Sequence, residues 1–306
     1  MIGVTQLLNT KLAGGGYPID VDFLVIGGGG SGNPGGGGGG AGGYRTSYGT
    51  GNISGRNSPV ETALSITNNT NYTVTIGEGG TPAATSPVSS LHQGGNAGED
   101  SVFSTITSLG GGCASYYPSA ANGGYTAKHN GGSGGGATFG GSGGHEAGNT
   151  SGTPAQGFGG HGGGLSGAST WSGGGGGAGA AGNNTGTGGV GLASSITGTS
   201  VNRGGGGSPG PWSGGTRASN GFGGGAGGNA TSGTPNTGGG GGGGGSSSQS
   251  ESALRAAGSG GSGVVIIRFT NEASYTVSSG LTYTETLVDN DKVVTFTAGT
   301  GTITFS

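Results

Sequence analysis

The chain has 306 residues, of which 90 are glycine, 28% are hydrophobic and 7% are charged. So little apolar material excludes a hydrophobic core of ordinary size, and ordering glycine costs more backbone entropy than ordering any other residue. The formal net charge is −3 and the lysines and arginines are scattered singly, which argues against a nucleic-acid surface, and no segment has the run of about eighteen apolar residues that a membrane-spanning helix needs.

Residues 1–21 are a short leader in which residues 4–12 could form one or two helical turns. The leader lacks the basic start and long apolar stretch of a secretory signal. We therefore expect a soluble product that is synthesised in the cytoplasm, and a leader too small to be a domain.

The body spans residues 22–270 and is bounded by two apolar runs, residues 23–26 and residues 263–269. Short apolar runs next to glycine predict buried strands, and their positions at the two ends of the body predict that they lie near each other and close it. Three more strands are predicted in the first half of the body, at residues 63–66, 71–76 and 101–106.

The later part of the body is nearly pure glycine, interrupted by Ser, Thr, Asn and Pro spacers. Collagen is excluded because glycine does not occur at every third position with proline-rich partners. The remaining use of dense glycine is a bundle of left-handed helices with about three residues per turn, hydrogen-bonded to neighbours on all sides. We predict no α-helix longer than about three turns between residues 110 and 262. The glycine runs are residues 35–40, 131–136, 173–177, 204–207, 223–228 and 238–245.

Residues 271–306 alternate between apolar and polar side chains, which is typical of antiparallel strands. Four strands are predicted, at residues 274–277, 281–287, 292–297 and 302–305, with a turn at residues 289–291. The predicted fold class is therefore mainly irregular and β: a polyglycine-II helix bundle, or sandwich, with flanking strands and a small C-terminal antiparallel β region.

Several segments carry a family resemblance. The strand-to-glycine start at residues 23–30, the segments 72–80 and 98–103, and the exit at residues 260–269 resemble the glycine-rich domain of tailed-phage tail-fibre and adhesin proteins. The C-terminal segment 293–305 is similar to a β motif that often accompanies such domains. The resemblance implies a polyglycine-II sandwich whose exposed loops at the fibre tip contact the host surface. The brief leader departs from the family because it offers no virion-anchoring domain, so another protein would provide the attachment.

The aromatic residues suggest where such a contact would lie. If strands and glycine runs are counted as ten alternating passes, the first being residues 22–40, the chain ends where it began. The connections at the starting end, residues 80–98, 145–156, 179–202 and 229–237, then contain no aromatic residue. The connections at the opposite end contain the candidate receptor-binding residues Tyr44, Tyr48, Tyr116, Tyr117, Tyr125, Trp171 and Trp212.

Two interpretations of these rings stay open. They could pack on one another to cap the bundle. Alternatively, tyrosine and tryptophan that face solvent form a typical binding surface, because they offer rigid area with little rotamer entropy to lose, and flat rings suit stacking on sugars.

Motifs that would indicate enzyme chemistry have simpler explanations. The G-x-G-x-x-G pattern at residues 27–32 is followed by Asn33 and Pro34 rather than by a helix, and so many glycines produce the pattern by chance. Residues 94–100 are similar to a calcium-binding repeat that occurs only once here. Cys113 has no partner for a disulfide, and the histidines fit no metal or nucleophile motif. We expect no catalytic residue, metal or cofactor; the histidines are His92, His129, His145 and His161.

The sequence favours a phage tail-fibre or virion-associated adhesin, located in the virion. Its expected partners are a host surface glycan or outer-membrane protein and, through residues 1–21 or 271–306, other virion proteins; a homotrimer is one open assembly. The alternatives are a purely structural fibre or capsid-decoration component and an ice-binding protein, although the irregular spacers argue against the flat face that ice binding needs.

Overall fold

The computed structural model describes residues 18–51, 53–85, 94–115, 129–138, 154–166, 169–183, 186–211, 231–245 and 254–306. Its regular elements are strands, and the helical conformation in these ranges is limited to a short 3₁₀ turn at Gly55–Asn57. Within the described part of residues 110–262 this agrees with the prediction that long helices are absent. Nothing described is helical over the length that crossing a membrane requires.

Fourteen strands are described, and most are short. In chain order they are β1 (Ile19–Ile26), β2 (Tyr44–Thr46), β3 (Leu64–Ile66), β4 (Asn71–Thr75), β5 (Ser101–Phe103), β6 (Ile106–Ser108), β7 (Gly164–Ser166), β8 (Ser169–Trp171), β9 (Leu192–Ser194), β10 (Val201–Arg203), β11 (Val264–Thr270), β12 (Tyr275–Val277), β13 (Leu281–Val288) and β14 (Asp291–Phe305).

One antiparallel sheet contains ten of these strands, with the order β2-β1-β11-β14-β4-β5-β6. Strands β12 and β13 also pair with β14, and β3 pairs with β1. The two apolar runs that bound the body are neighbours in this sheet, with Val25 opposite Val265, which confirms that they close the body. Two separate hairpins, β7–β8 and β9–β10, complete the described strands.

Strand β14 joins two layers of the sheet. Its first part pairs with β11 and β13, and its second part, from Thr300, pairs with β4 and β12. The change occurs at Gly299, whose φ of +94° suits glycine. Because β5 and β6 contact β1 without pairing with it, the two layers face each other. The main core lies between them and includes Phe23, Phe103, Ile267, Phe296 and Phe305, all nearly or fully buried.

The layer that contains β1 and β11 carries a second apolar cluster on its other face, away from the main core. Side chains alternate along β11, so that Ile267 enters the main core and Ile266 the second cluster. Leu24, Tyr44 and Ile196 join Ile266 there, with Ile196 contributed by the connection between β9 and β10. Both faces of this layer are therefore buried, although the chain is poor in apolar residues.

At one end of these layers, the strands continue directly into the glycine-rich segments. The segment 37–43 is surrounded by six others, and its hydrogen bonds show the geometry. Carbonyl groups of this segment accept from Gly30, Ser133 and Gly207, among others. Its N–H groups donate in a strict order: residues 38 and 41 to the segment 173–176, residues 39 and 42 to the segment 238–241, and residues 40 and 43 to the segment 109–112.

The direction of donation thus repeats every third residue, as expected for a helix with about three residues per turn. This confirms the predicted polyglycine-II bundle for the described segments. The packing explains the composition: a Cβ on Gly39 would lie 2.1 Å from the carbonyl oxygen of Gly30, and one on Gly241 would lie 2.1 Å from that of Gly258. Backbone hydrogen bonds therefore replace side-chain burial as the main cohesion of the body.

Several strand boundaries differ from those predicted. The predicted strand at residues 101–106 is a hairpin of β5 and β6, and Ser104 in its turn has a φ of 54°. The two strands predicted at the C-terminus are one strand, β14. Strand β1 begins at Ile19, before the predicted end of the leader, because Ile19 and Val21 belong to the main core.

Candidate functional site

The glycine bundle has two ends, which we call the sheet end and the loop end. The sheet end carries the layered strands. The loop end is defined by the turn at residues 33–36, where Asn33 accepts a backbone hydrogen bond from Gly36 and its side-chain Oδ1 accepts another from Gly35 at 2.7 Å. Hydrogen bonds from Gly27 to Gly43 and from Gly30 to Gly40 show that the chain leaves the sheet and returns to it through this turn.

This turn corrects the count of passes made from the sequence. Residues 22–40 are two antiparallel segments rather than one, because a tight Asn-Pro turn lies between two glycine runs. The aromatic-free connection 80–98 consequently starts and finishes at the loop end, where Asn96 accepts a hydrogen bond from Ser31. Tyr44 and Tyr48 instead lie at the sheet end, since β2 pairs with β1.

Tyr44 is fully buried, so its ring offers no surface to a ligand. It lies in the second apolar cluster, and burial raises the pKa of its hydroxyl to about 12, against smaller opposing effects of Arg203 and a hydrogen bond with Ser194. Burial likewise lowers the pKa of the Arg203 guanidinium. Tyr44 therefore stabilises the junction between sheet and bundle.

The raised pKa predicts that alkali destabilises the protein. The folded state holds Tyr44 neutral, so this stabilisation is complete below the ordinary pKa of 10.0 and is lost as the pH rises through about 12. We expect the free energy of unfolding, measured with denaturant, to fall between these two pH values. Tyr44→Phe should show a shallower fall; an equal slope in both proteins would contradict the assignment.

Tyr48 is half-buried and contacts a guanidinium group. The guanidinium of Arg268 lies 5.3 Å from its ring centroid, and Nη1 of Arg268 donates to the Tyr48 hydroxyl at 3.2 Å. Arg268 also pairs with Asp291 at 2.8 Å. These contacts connect β11 and β14 to the segment after β2, so Tyr48 supports the sheet rather than the loop end.

The other five candidate residues belong to connections whose described flanks lie at the loop end. Ala114, close to the start of the first connection, donates to Ser31, and Gly210, close to the start of another, donates to Gly36. For Trp171 the backbone is described: it pairs with Gly164 in the β7–β8 hairpin. The remaining four lie outside the described residues: Tyr116, Tyr117, Tyr125 and Trp212.

One thiol–imidazole contact lies near the loop end. Sγ of Cys113 is 3.3 Å from Nδ1 of His129, which is also 3.1 Å from the carbonyl oxygen of Cys113. Both side chains are buried. His161 contacts the carbonyl oxygen of Gly162 at 2.7 Å, while His92 and His145 lie outside the described residues. In the described ranges no three His, Cys, Asp or Glu side chains are grouped so as to hold a metal ion.

Strand β13 was predicted from the sequence at residues 281–287, but its exposure was not. Six successive residues of it, 282–287, are exposed on both faces. In its sequence, threonine alternates with tyrosine, glutamate and leucine, and this pattern predicts a strand with one polar face. The pattern does not reveal that the other face, which carries the tyrosine, the glutamate and the leucine, is also exposed.

The family described as a glycine-rich domain matches residues 15–270. Comparisons with curated proteins and with solved structures found no significant match. The matched range covers the glycine bundle together with β1 and β11, and stops before β12.

Proposed function

Because this chain belongs to the glycine-rich domain family, we propose that it is a virion-associated adhesin of a tailed phage that binds a host surface receptor through its loop end. The observation that carries the proposal is the position of the loop-end connections. A bundle in which one segment is enclosed by six others holds the ends of these connections at one end of the molecule. Loops held by a rigid scaffold are a common location for binding residues.

The composition of these connections favours recognition of a glycan or of an outer-membrane protein. They carry three tyrosines and two tryptophans among Gly, Ser, Thr and Asn. Aromatic rings contribute large contact areas, and small polar residues contribute adaptable hydrogen bonds. The proposed function is binding without catalysis, and it needs no cofactor.

The positions of the chain ends fit attachment at the sheet end and a free loop end. Ile19, close to the first described residue, pairs with Ile66 of β3, while Phe305 accepts a hydrogen bond from Asn69 just beyond that strand. Both ends of the described chain therefore lie at the sheet end. Attachment to other virion proteins through residues 1–21 or 271–306 would direct the loop end outward.

Cell binding tests the proposal. Trp171→Ala and Trp212→Ala should each weaken binding of the isolated chain to host cells by about tenfold or more if the ring is a central contact. Tyr283→Ala is the matched control, because Tyr283 is an exposed aromatic residue at the sheet end. If folded tryptophan variants bind like the parent while Tyr283→Ala loses binding, the orientation is inverted and the proposal fails.

A further inference from the structure

Strand β13 is an edge of the ten-stranded sheet. Within the described ranges it pairs only with β14, through a register that runs from Leu281 opposite Gly299 to Val288 opposite Asp291. Residues 282–287 are exposed, and no described strand pairs with the side of β13 that is away from β14. An edge strand of this length offers a row of backbone donors and acceptors to another strand.

The exposed apolar side chains concentrate on this strand. Of the three large hydrophobic residues that are exposed in the described chain, two are Leu287 at 64% and Tyr283 at 42%; the third is Val190. Tyr283 and Leu287 are four residues apart and so share one face of the strand. Glu285 lies between them, and its carboxylate accepts a hydrogen bond from the Tyr275 hydroxyl.

The charges around this edge are mostly negative. Arg268 is occupied by Asp289 and Asp291, and Nζ of Lys292 donates to the carbonyl oxygen of Ala273 at 2.8 Å. Glu285 is exposed without a basic partner among the described ion pairs. A second copy of the chain would place its own Glu285 opposite or diagonal to this one in antiparallel registers centred on the strand, which is unfavourable.

We infer that β13 accepts a β-strand from a different protein, one that carries Lys or Arg opposite Glu285 and apolar residues two positions to either side. Backbone hydrogen bonds would supply the general affinity, and the two apolar side chains and the cation would select the partner. The strand lies at the sheet end, and its turn to β14 is on the side away from the glycine bundle. The inference rests on the proposed function only in identifying that partner as the protein that holds the adhesin on the virion.

Two peptides test the edge on the full chain. The first, Thr-Val-Thr-Lys-Thr-Val-Thr, has the expected pattern, and the second has Glu in place of Lys. At low ionic strength we expect the lysine peptide to bind about tenfold more tightly than the glutamate peptide, because of the charge on Glu285. It should also slow hydrogen exchange of β13 amides, which shows where it binds.

Variants test whether peptide binding depends on the edge strand β13. Glu285→Gln keeps an acceptor for Tyr275 and should reduce the preference for the lysine peptide to about threefold or less. Leu287→Lys should weaken binding of the lysine peptide by about tenfold. Val190→Lys, at an exposed apolar site away from the edge, should leave that affinity unchanged. Thermal unfolding confirms that each variant is folded.

Three outcomes would overturn the inference: no protection of β13 by either peptide, equal affinity for both, or dimerisation of the chain that Leu287→Lys abolishes. Host-cell binding of the isolated chain separates this inference from the proposed function. If the peptide result fails while the loop-end tryptophan variants lose cell binding, the adhesin proposal stands alone. If the peptides bind as expected and the tryptophan variants bind cells normally, only the strand-accepting edge stands.

Discussion

Gly39→Ala is expected to destabilise the folded protein severely. Gly39 is in the central segment of the bundle: it donates to Gly241 and accepts from Gly207, and a methyl group there would lie 2.1 Å from the carbonyl oxygen of Gly30. The obstructing atoms belong to backbones that are themselves hydrogen-bonded, so no rotamer change can make room. We expect a loss of stability above the roughly 1–3 kcal/mol that is usual for an overpacked core. Calorimetry of the soluble fraction would measure it.

Gly51→Ala is the matched control. Among the described residues no atom lies within 4 Å of a methyl group at this position, although its φ of +92° adds strain. We expect a folded protein that is less stable by about 1–3 kcal/mol at most. If Gly39→Ala melts at the temperature of Gly51→Ala, close packing around the central segment is not what holds the bundle together.

A chain that ends at residue 270 is expected not to reach the native fold, although it contains the whole of the family-matched range, residues 15–270. Strand β14 lies between β11 and β4, and its Val294, Phe296, Ile303 and Phe305 are buried in the main core. Its loss would expose the apolar face of β11 and leave β4 without one neighbour. Exposed strand edges and apolar surface promote aggregation. Solubility and circular dichroism of the truncated chain would show the result.

A pair of point variants tests the same idea without truncation. Phe296 and Tyr283 lie opposite each other on β14 and β13, with ring centroids 5.8 Å apart, but only Phe296 is buried. Phe296→Ala should cost about 3–5 kcal/mol, as is usual for a buried phenylalanine. Tyr283→Ala should cost far less. Equal losses, or a soluble and cooperative chain ending at residue 270, would show that the C-terminal strands are an independent addition.

The strands that begin and close the body could be predicted because their signals are local. Runs such as residues 23–26 and 264–267 are short, apolar and flanked by glycine. The pairing of β1 with β11 followed from their positions at the two ends of one body. In contrast, the joining of two predicted strands into β14 could not be foreseen, since glycine at residue 299 suggests an interruption when only the sequence is considered.

The candidate surface was harder to predict. Tyr44 and Tyr48 were grouped with the loop-end residues because the reversal at Asn33 was hidden between two glycine runs. In a glycine-rich chain, neighbouring segments differ little in composition, so counting passes carries no check on direction. The structure supplies that check through hydrogen bonds such as that from Gly30 to Gly40, which join segments close in sequence but opposite in direction.

The sequence by itself determined that the glycine-rich segments must be held together by their backbones, because glycine has no side chain to bury, and that about three residues per turn is the period which suits these segments. Only the tertiary structure decided which segments are neighbours, which tyrosines are buried and which strand keeps a free edge. The physical reason is that a glycine N–H can donate to any carbonyl group at the right distance. Composition therefore sets the kind of packing, whereas the partner of each segment depends on where the turns and the β-strands place it.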